Sequence, residues 1–257
     1  MKKKIVVVTG TTSGLGETLA KMYAKGGAIV VAQGRNEKKL SALKKWSDDY
    51  GYGLMNPLCL DLLEKNAAER FYQYVINKWN TIDIWINNAG FGYVGAYTAC
   101  SLELIQEMSQ VNIDFVNQAS YLVANDMIRK HSGTIVNIAS TGAYHPGPFT
   151  AQYYATKAYV ASFTEALYYE CKPHGVHVMS VCPGAMDTPF SRKAGRRDNA
   201  FAMSTQKVAR AIIHGVEKKK SIVVPGLFYR MFIRIPRKIA APLIEKQQKK
   251  LAFHIDN

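Results

Sequence analysis

The sequence predicts an α/β protein with a doubly wound parallel sheet, and three observations support this class. Apolar runs rich in Val and Ile alternate with helical segments along the chain. Each apolar run ends in glycine or small residues, as strands buried on both faces often do. No internal linker, repeat or low-complexity tract interrupts the alternation. Parallel strands need crossover connections, so we expect a single domain over residues 1–257 with helices on both faces of its sheet.

Six strands are expected, in chain order. The first two, KIVVVTG (4–10) and AIVVAQG (28–34), are short β-branched runs that end in glycine. A weaker third strand is GLMNPLCLDL (53–62). The remaining three are IDIWINNAG (82–90), GTIVNIAS (133–140) and VHVMSVCPG (176–184).

Helical segments lie between these strands. One runs from the turn after the first strand to Ala24, and the charged segment 36–50 is typical of a surface helix. Two long helices are expected over roughly residues 102–130 and 153–172. Buried strands separated by helices indicate repeated βαβ units.

The composition is that of a globular protein with an unusual charge. The chain has 257 residues, of which 48% are hydrophobic and 20% charged, so it can bury a sizeable core and is not of the disordered class. Its formal net charge of +14 suits nucleic acid, an anionic membrane surface or acidic ligands. Charge alone does not choose among these partners.

Cysteine, histidine and hydropathy patterns argue against several other classes. Four widely spaced cysteines without a CxxC motif indicate reduced thiols, and the six histidines show no metal-ligand spacing, so no metal site is expected. The apolar run near the start is four residues long, shorter than the roughly 7–15 of a secretory signal. No run approaches the roughly 18 apolar residues of a membrane span. We therefore expect a cytoplasmic protein.

A glycine-rich turn, TGTTSGLGE, follows the first predicted strand and opens a helix. Its glycines are Gly10, Gly14 and Gly16. Glycine lets the backbone turn tightly and approach a pyrophosphate, and a helix N-terminus offers free N–H groups to phosphates. The strand–turn–helix context therefore predicts a dinucleotide site, whereas a glycine turn without it would be a weak signal.

The stretch AQYYATKAYV places two tyrosines ahead of a lysine. Tyr153 stands four residues before Lys157 and Tyr154 three, so either is its neighbour on a helix. An amphipathic helix with aromatics towards the core and the lysine in water is the ordinary alternative. The spacing alone leaves the choice open.

Taken together, the motifs resemble those of the short-chain dehydrogenase/reductase family over roughly residues 4–190. The set begins with TGxxxGxG at residues 9–16, NNAG at residues 87–90 and an asparagine in a predicted helix, Asn112. It continues with Ser140, the YxxxK motif of Tyr153 and Lys157, the dipeptide Pro183–Gly184, and Thr188. The resemblance implies a single-domain Rossmann fold. It also implies an enzyme that interconverts a ketone or aldehyde and an alcohol by hydride transfer to or from a nicotinamide cofactor.

The resemblance assigns the catalytic roles and selects Tyr153 as the acid/base. An unperturbed tyrosine has a pKa near 10, and the Lys157 cation one turn away lowers that value by stabilising phenolate. Ser140 is expected to hydrogen-bond the substrate oxygen. Asn112 resembles a residue that supports a water-mediated proton relay, although an asparagine satisfying the helix backbone would look the same. Tyr154 is then expected on the helix flank, as a core or subunit contact.

Cofactor contacts are also carried over residue by residue. They are Gly10, Thr12, Ser13, Gly14, Leu15, Gly16, Arg35, Asn36, Asp61, Leu62, Asn88, Ala89, Gly90, Tyr153, Lys157, Pro183, Gly184 and Thr188. At the end of the second strand, Gly34 stands where an NAD site commonly has an acid, and Arg35 follows. A guanidinium suits a 2′-phosphate, so NADP(H) is the expected cofactor.

Substrate contacts are expected from Ser140, Tyr144, Phe149 and Tyr153, and from a lid over about residues 186–203. The lid carries Arg192, Lys193, Arg196 and Arg197. These cations suit an anionic or carrier-linked substrate, or equally a solvated loop.

The C-terminal segment, about residues 225–257, is expected to be basic and amphipathic. Residues 216–250 include ten basic and two acidic residues, which are interleaved with aromatic and branched aliphatic residues. This pattern suits peripheral contact with an anionic inner membrane face, a subunit interface or a lid over lipid.

Two classes of function remain at this stage. The leading one is an NADP-dependent oxidoreductase acting on a small carbonyl compound or alcohol. The alternative is an NADP-binding sensor or scaffold without turnover, but such proteins typically lose the tyrosine or the lysine. Nucleic-acid binding is not expected, because no reading motif accompanies the charge. By resemblance, a homodimer or homotetramer should form through the two long helices.

Overall fold

Seven parallel strands form one sheet in the structure, a computed structural model that describes residues 3–188 and 202–252. The strands are β1 (Ile5–Val8), β2 (Ile29–Gly34), β3 (Met55–Cys59), β4 (Ile84–Asn87), β5 (Thr134–Ile138), β6 (His177–Val181) and β7 (Ile222–Val223). Their spatial order is β3-β2-β1-β4-β5-β6-β7, and every neighbouring pair is parallel. The predicted doubly wound α/β class is confirmed.

Helices connect the strands. They are α1 (Gly14–Lys25), α2 (Glu37–Asp49), α3 (Ala67–Trp79), α4 (Leu102–Ser109), α5 (Phe115–Lys130), α6 (Ala151–Cys171), α7 (Thr205–Glu217), α8 (Leu227–Phe232) and α9 (Arg237–Ala252). The helix expected over 102–130 is divided into α4 and α5 by one turn of π-helix, Gln110–Asp114. Such turns are rare inside helices and often occur at functional sites.

Alternate residues of each strand face opposite sides of the sheet, as the pleat requires. On β1, Val6 and Val8 belong to the apolar cluster that includes α1 and α7, whereas Ile5 and Val7 belong to the cluster that includes α3 and α5. Because both sides of the strand are covered, the sequence shows an uninterrupted apolar run rather than an alternating one.

The two outer strands explain the weakest parts of the strand prediction. Strand β3 pairs only with β2, and it contains Pro57, which an edge strand tolerates because fewer of its N–H groups join a ladder. Strand β7 is two residues long, and the sequence does not predict it. It is recognised by its pairing with β6, because two residues are too few to show a local strand pattern.

The predicted lid falls mostly outside the described residues. Its cations Arg192, Lys193, Arg196 and Arg197 all lie there, while Met186 and Met203 form a parallel bridge at its two ends. Within residues 3–188 and 202–252, no helix is both long and apolar enough to cross a bilayer. The same described ranges contain no group of three or more His, Cys, Asp or Glu side chains arranged to hold a metal ion.

A chain of buried amides joins the two central strands to the helices behind them. Asn87 on β4 accepts a hydrogen bond from the Trp85 indole at 2.7 Å and donates to the Oδ1 atom of Asn137 on β5 at 2.8 Å. Asn137 in turn donates to the Thr164 hydroxyl on α6 at 3.0 Å. Buried polar groups satisfied in this way define one arrangement of strands and helices, because any other leaves amides unpaired.

We expect Asn137→Ala to lower the free energy of unfolding by about 2–4 kcal/mol, because the Thr164 hydroxyl oxygen loses its donor and the Asn87 amide keeps only the longer bond to the Ser120 hydroxyl, at 3.3 Å. Asn125→Ala is the matched control, since Asn125 is exposed on α5 and should cost no more than about 0.5 kcal/mol. Urea unfolding followed by circular dichroism measures both. Equal losses in the two variants would contradict a structural role for the buried amides.

Candidate active site

A cleft of about 660 Å³ opens at the carboxyl ends of the central strands. It lies where the chain turns from building the β1-β2-β3 side of the sheet to building the β4-β5-β6-β7 side. Ligands of open parallel sheets bind at this kind of switch point, because the loops diverge there and leave a crevice. The glycine-rich turn lines one side of the cleft, and the residues after β5 and at the start of α6 line the other.

The glycine-rich turn adopts a conformation and a packing that side chains would obstruct. Gly10 and Gly14 have φ angles of +71° and +62°, in the left-handed region. A Cβ atom on Gly10 would lie 2.9 Å from the Ala89 Cα atom, and one on Gly14 would lie 3.2 Å from the Thr188 Cγ2 atom. Helix α1 begins at Gly14 without a side-chain cap from Ser13. Its first N–H groups therefore face the cleft as a site suited to phosphate.

Three polar side chains hold this turn in place. The Thr9 hydroxyl accepts hydrogen bonds from the N–H groups of Asn88 and Ala89 at 2.9 and 2.8 Å. The Asn88 side-chain amide donates back to the Thr9 carbonyl at 2.8 Å. Gln33, buried at the end of β2, accepts the Gly10 N–H at 3.0 Å. The ends of β1, β2 and β4 are thereby tied together beneath the cleft.

Two cations and no acid follow β2 at the cleft. The Arg35 guanidinium is exposed, and its Nη1 atom lies 3.5 Å from the Asp61 carboxylate. Lys39, one helical turn further along, lines the same cleft. Asn36 caps α2 by accepting the Lys39 N–H at 3.0 Å. This end of the cleft therefore offers positive charge, offset by one weakly held carboxylate.

At the opposite end, Ser140, Tyr153 and Lys157 line one wall. The Lys157 ammonium lies 5.8 Å from the centroid of the Tyr153 ring and donates to the Ile138 carbonyl at 2.9 Å. The Ser140 hydroxyl accepts the Gly142 N–H at 3.1 Å. Helix α6 thus carries the tyrosine and the lysine on adjacent turns, facing the serine that follows β5.

Burial lowers the pKa of Lys157 from 10.5 to about 8, because little water remains to solvate its charge. The amine stays predominantly protonated at neutral pH. The site therefore holds a desolvated cation close to a phenol, and such a cation favours the phenolate form.

Both tyrosines border the cleft, so the expectation that Tyr154 stands on the helix flank as a core or subunit contact was wrong. Helix α6 begins at Ala151, and Tyr153, Tyr154 and Lys157 are its residues that line the cleft. The Tyr153 ring packs so closely on Gly92 that a Cβ atom there would lie 2.7 Å from its Cδ2 atom. The Tyr154 ring packs instead on Gly142, on the β5 side.

Asn112 lies behind the cleft, fully buried in the π-helical turn. Its amide donates to the Phe91 carbonyl at 2.9 Å and to the Thr156 hydroxyl at 3.1 Å, and its carbonyl oxygen accepts the Phe91 N–H at 3.1 Å. A Cβ atom on Gly90 would lie 2.9 Å from the Asn112 Oδ1 atom and 3.3 Å from the Lys157 Nζ atom. Asn112 therefore holds the segment after β4 against α6, and its relay role stays a prediction.

Most of the residues expected to contact cofactor or substrate line this cleft; Gly16, Asn112, Tyr144 and Phe149 do not. Gly16 packs against the Gly10 carbonyl, and the Tyr144 hydroxyl lies 3.8 Å from the Cys182 sulfur. Phe149 has a φ angle of +60° and accepts the Gly95 N–H through its carbonyl. The substrate contacts of Tyr144 and Phe149 stay predictions.

Sequence reasoning missed several residues of the site, among them Gln33, Lys39, Tyr154 and Tyr229. The position of Lys39 could have been predicted from the sequence, because it follows Arg35 by one helical turn. Tyr229 had none: it comes from α8, far along the chain, yet its ring packs on Gly184 and its hydroxyl accepts the Ala185 N–H at 3.1 Å.

Known proteins resemble this chain in sequence and in fold. The model of the short chain dehydrogenase family matches residues 4–199. An uncharacterized oxidoreductase of Staphylococcus saprophyticus is 30% identical over 87% of this chain and 95% of its own length. The 3-oxoacyl-[acyl-carrier-protein] reductase of Thermotoga maritima is 26% identical over 82% of this chain and 85% of its own. A short-chain dehydrogenase from Sphingobium yanoikuyae, solved in complex with NADPH, has a TM-score of 0.81 and 28% identity, covering 87% and 88% of the two chains.

We expect Lys157→Met to stabilise the cofactor-free protein near neutral pH, because it removes a desolvated cation. With the folded pKa about 8 and the unfolded pKa 10.5, the unfolded chain binds more protons between these values. The stability of the wild-type protein therefore rises relative to the variant as pH increases through that window. The advantage of the variant should shrink by roughly 2–3 kcal/mol between about pH 7 and about pH 10.

Chemical unfolding across this pH range measures that difference. Lys172→Met, which removes an exposed lysine just after α6, is the control for the loss of a lysine side chain. A Lys157→Met difference that does not vary with pH would contradict the desolvation of the Lys157 cation.

Proposed function

The chain belongs to the short-chain dehydrogenase family of oxidoreductases, and on that basis we propose that it interconverts a ketone or aldehyde and an alcohol, using NADP(H). The observation that carries the proposal is the cleft wall on which Ser140, Tyr153 and Lys157 meet. The alternative, a sensor or scaffold that binds NADP without turnover, is disfavoured by the presence of all three side chains. Such a protein has no need for a buried lysine that costs stability.

The residues of the cleft fit a dinucleotide. The left-handed glycines leave room where side chains would project, and the N-terminus of α1 offers N–H groups for a pyrophosphate. When bound, the cofactor supplies or accepts the hydride. Thr188, close to Gly14 across the cleft, and Lys157 are the groups we assign to its nicotinamide half.

The chain itself supplies the proton chemistry. In the reductive direction Tyr153 donates its phenolic proton to the substrate oxygen, which becomes the hydroxyl of the alcohol. In the oxidative direction the phenolate takes that proton back. The Lys157 ammonium stabilises the phenolate, and Ser140 orients the substrate oxygen by a hydrogen bond. Tyr154, the next residue on α6, also lines the cleft and is left to shape the substrate pocket.

The preference for NADP(H) rests on charge after β2. Arg35 and Lys39 line the adenosine end of the cleft, and Gly34 stands in place of the acid that would repel a 2′-phosphate. We propose that the 2′-phosphate replaces Asp61 as the partner of Arg35. The NADPH complex of the Sphingobium relative is consistent with this assignment.

The proposed substrate is a small-molecule ketone or aldehyde, or the corresponding alcohol. Apolar contacts are available from Tyr154, Phe91 and Met186, which favours a substrate with an apolar body. The Thermotoga relative is named for 3-oxoacyl groups on a carrier protein, so thioesters of that kind belong in the substrate panel. The homodimer or homotetramer expected from the family stays a prediction.

Tyr153→Phe is expected to lower kcat by about 10²- to 10⁴-fold, because the transition state loses its proton donor. NADPH oxidation with a panel of diketones, aldehydes, 3-oxoacyl thioesters and steroid ketones measures the rate. NADPH binding, followed by fluorescence, should change little in the variant.

Two variants on the same helix sharpen this test. Tyr154→Phe removes the neighbouring hydroxyl in the cleft, and the assignment requires it to retain most of the rate. Tyr159→Phe, on the exposed side of α6, is the matched control for loss of a hydroxyl. A larger loss in Tyr154→Phe than in Tyr153→Phe would transfer the acid/base role. Tight NADPH binding without turnover on any substrate would favour the sensor instead.

Arg35→Ala is expected to raise the KM for NADPH by about 10- to 100-fold, because a hydrogen-bonded charge contact to phosphate is lost. The KM for NADH should stay the same or fall. Lys38→Ala is the matched control, since Lys38 is exposed on the first turn of α2 but does not line the cleft. Equal effects of Arg35→Ala on the two cofactors would contradict the 2′-phosphate assignment.

A further inference from the structure

Two consecutive helices near the C-terminus expose large aliphatic side chains. On α8, Leu227 is 72% exposed and Met231 64%, and on α9, Ile239 is 59% exposed and Leu243 58%. Each pair is spaced by four residues, so its two members lie on the same side of their helix. Exposed leucines scattered singly are ordinary, but four within 17 residues of one segment are not.

Cations surround these side chains. The segment 227–252, which we call the C-terminal surface, contains seven basic residues and one acid, Glu245. The basic residues are Arg230, Arg234, Arg237, Lys238, Lys246, Lys249 and Lys250, and all of them are exposed. None of the seven is within ion-pair distance of a carboxylate among residues 3–188 and 202–252. Their charge is therefore available to a partner outside the chain.

The opposite side of the same segment is attached to the body of the protein. Tyr229 is buried and accepts the Ala185 N–H at 3.1 Å, while Arg237 donates through its Nε atom to the Tyr144 carbonyl at 3.3 Å. Ala240 and Ile244 form the buried stripe of α9. The segment is thus anchored by a narrow inner side, and its aliphatic side chains point away from that anchorage.

We propose that the C-terminal surface binds anionic lipid bilayers. In this arrangement Leu227, Met231, Ile239 and Leu243 enter the boundary between headgroups and acyl chains, and the seven cations contact anionic headgroups. Exposed aliphatic groups favour hydrocarbon over nucleic acid, which is bound by phosphate contacts together with stacking or base-edge hydrogen bonds. An excess of six positive charges over one short segment likewise selects an anionic surface over a neutral one. The proposal does not depend on the proposed reaction.

Co-sedimentation of the full chain with vesicles tests this. Vesicles of phosphatidylcholine alone are compared with vesicles that also contain phosphatidylglycerol, at low and at high salt. The protein should sediment with the anionic vesicles at low salt and much less with the neutral ones. High salt should weaken the binding, because screening reduces the attraction between cations and headgroups.

Two double variants separate the apolar and the charged contributions. Leu227→Gln with Met231→Gln removes the inserted side chains of α8. Arg234→Glu with Lys238→Glu reverses two exposed cations whose side chains form no hydrogen bond or ion pair with the described residues. Each is expected to weaken binding to anionic vesicles by about tenfold or more. Thermal unfolding and NADPH binding should match those of the wild-type protein.

Matched controls guard against general effects of polarity and charge. Leu54→Gln with Leu102→Gln replaces two exposed leucines elsewhere, and Lys65→Glu with Lys207→Glu makes the same change in net charge away from the segment. Both controls should retain at least half of the wild-type binding. The proposal is overturned if the protein does not sediment with anionic vesicles, or if the control variants weaken binding as much as the segment variants do. It is also overturned if the segment variants instead dissociate an oligomer in size-exclusion chromatography, because the partner would then be a second copy of the chain.

Discussion

The hydrogen bonds between the ends of β1 and β4 are the constraint on which the rest of the site depends. Thr9 accepts two N–H groups of the segment after β4, and Asn88 donates back to the Thr9 carbonyl. These bonds hold the glycine-rich turn beside the Asn-Ala-Gly segment, and Gly90 then lies close to both Asn112 and Lys157. A short side chain at the end of one strand thus sets the distance between the glycine-rich turn and the pair Tyr153 and Lys157.

The same geometry creates the principal electrostatic cost of the structure. Lys157 is buried, its ammonium donates to the Ile138 carbonyl, and burial lowers its pKa to about 8. A buried cation lowers the stability of the folded state, but beside the Tyr153 phenol it favours the phenolate, which can accept a proton. The surrounding apolar clusters and the chain of buried amides supply the stability that tolerates this cost.

The C-terminal helices serve two environments at once. On the inner side, Tyr229 packs on Gly184 and accepts the N–H of Ala185, two residues that line the cleft. On the outer side lie exposed aliphatic side chains and cations that form no ion pair with the described part of the chain. The short helix α8 carries both sets of contacts. A partner bound to its outer side would therefore lie one helix away from Gly184 and Ala185 in the cleft wall.

The sequence by itself determined the fold class, six of the seven strands and the glycine-rich turn. These features follow from local rules: buried strands read as continuous apolar runs, and left-handed turns require glycine. The set Ser140, Tyr153 and Lys157 was predicted from the resemblance to a family, because the spacing of the two tyrosines left the choice open. Only the tertiary structure decided that Tyr154 also lines the cleft, that Lys39 and Gln33 join it, and that Tyr229 from α8 packs behind Gly184 and Ala185. It also divided the long helix at the π-turn that buries Asn112, and it defined β7 by its pairing with β6. Such features depend on contacts between segments far apart in the chain, and a local sequence pattern does not specify which distant segment will pack against it.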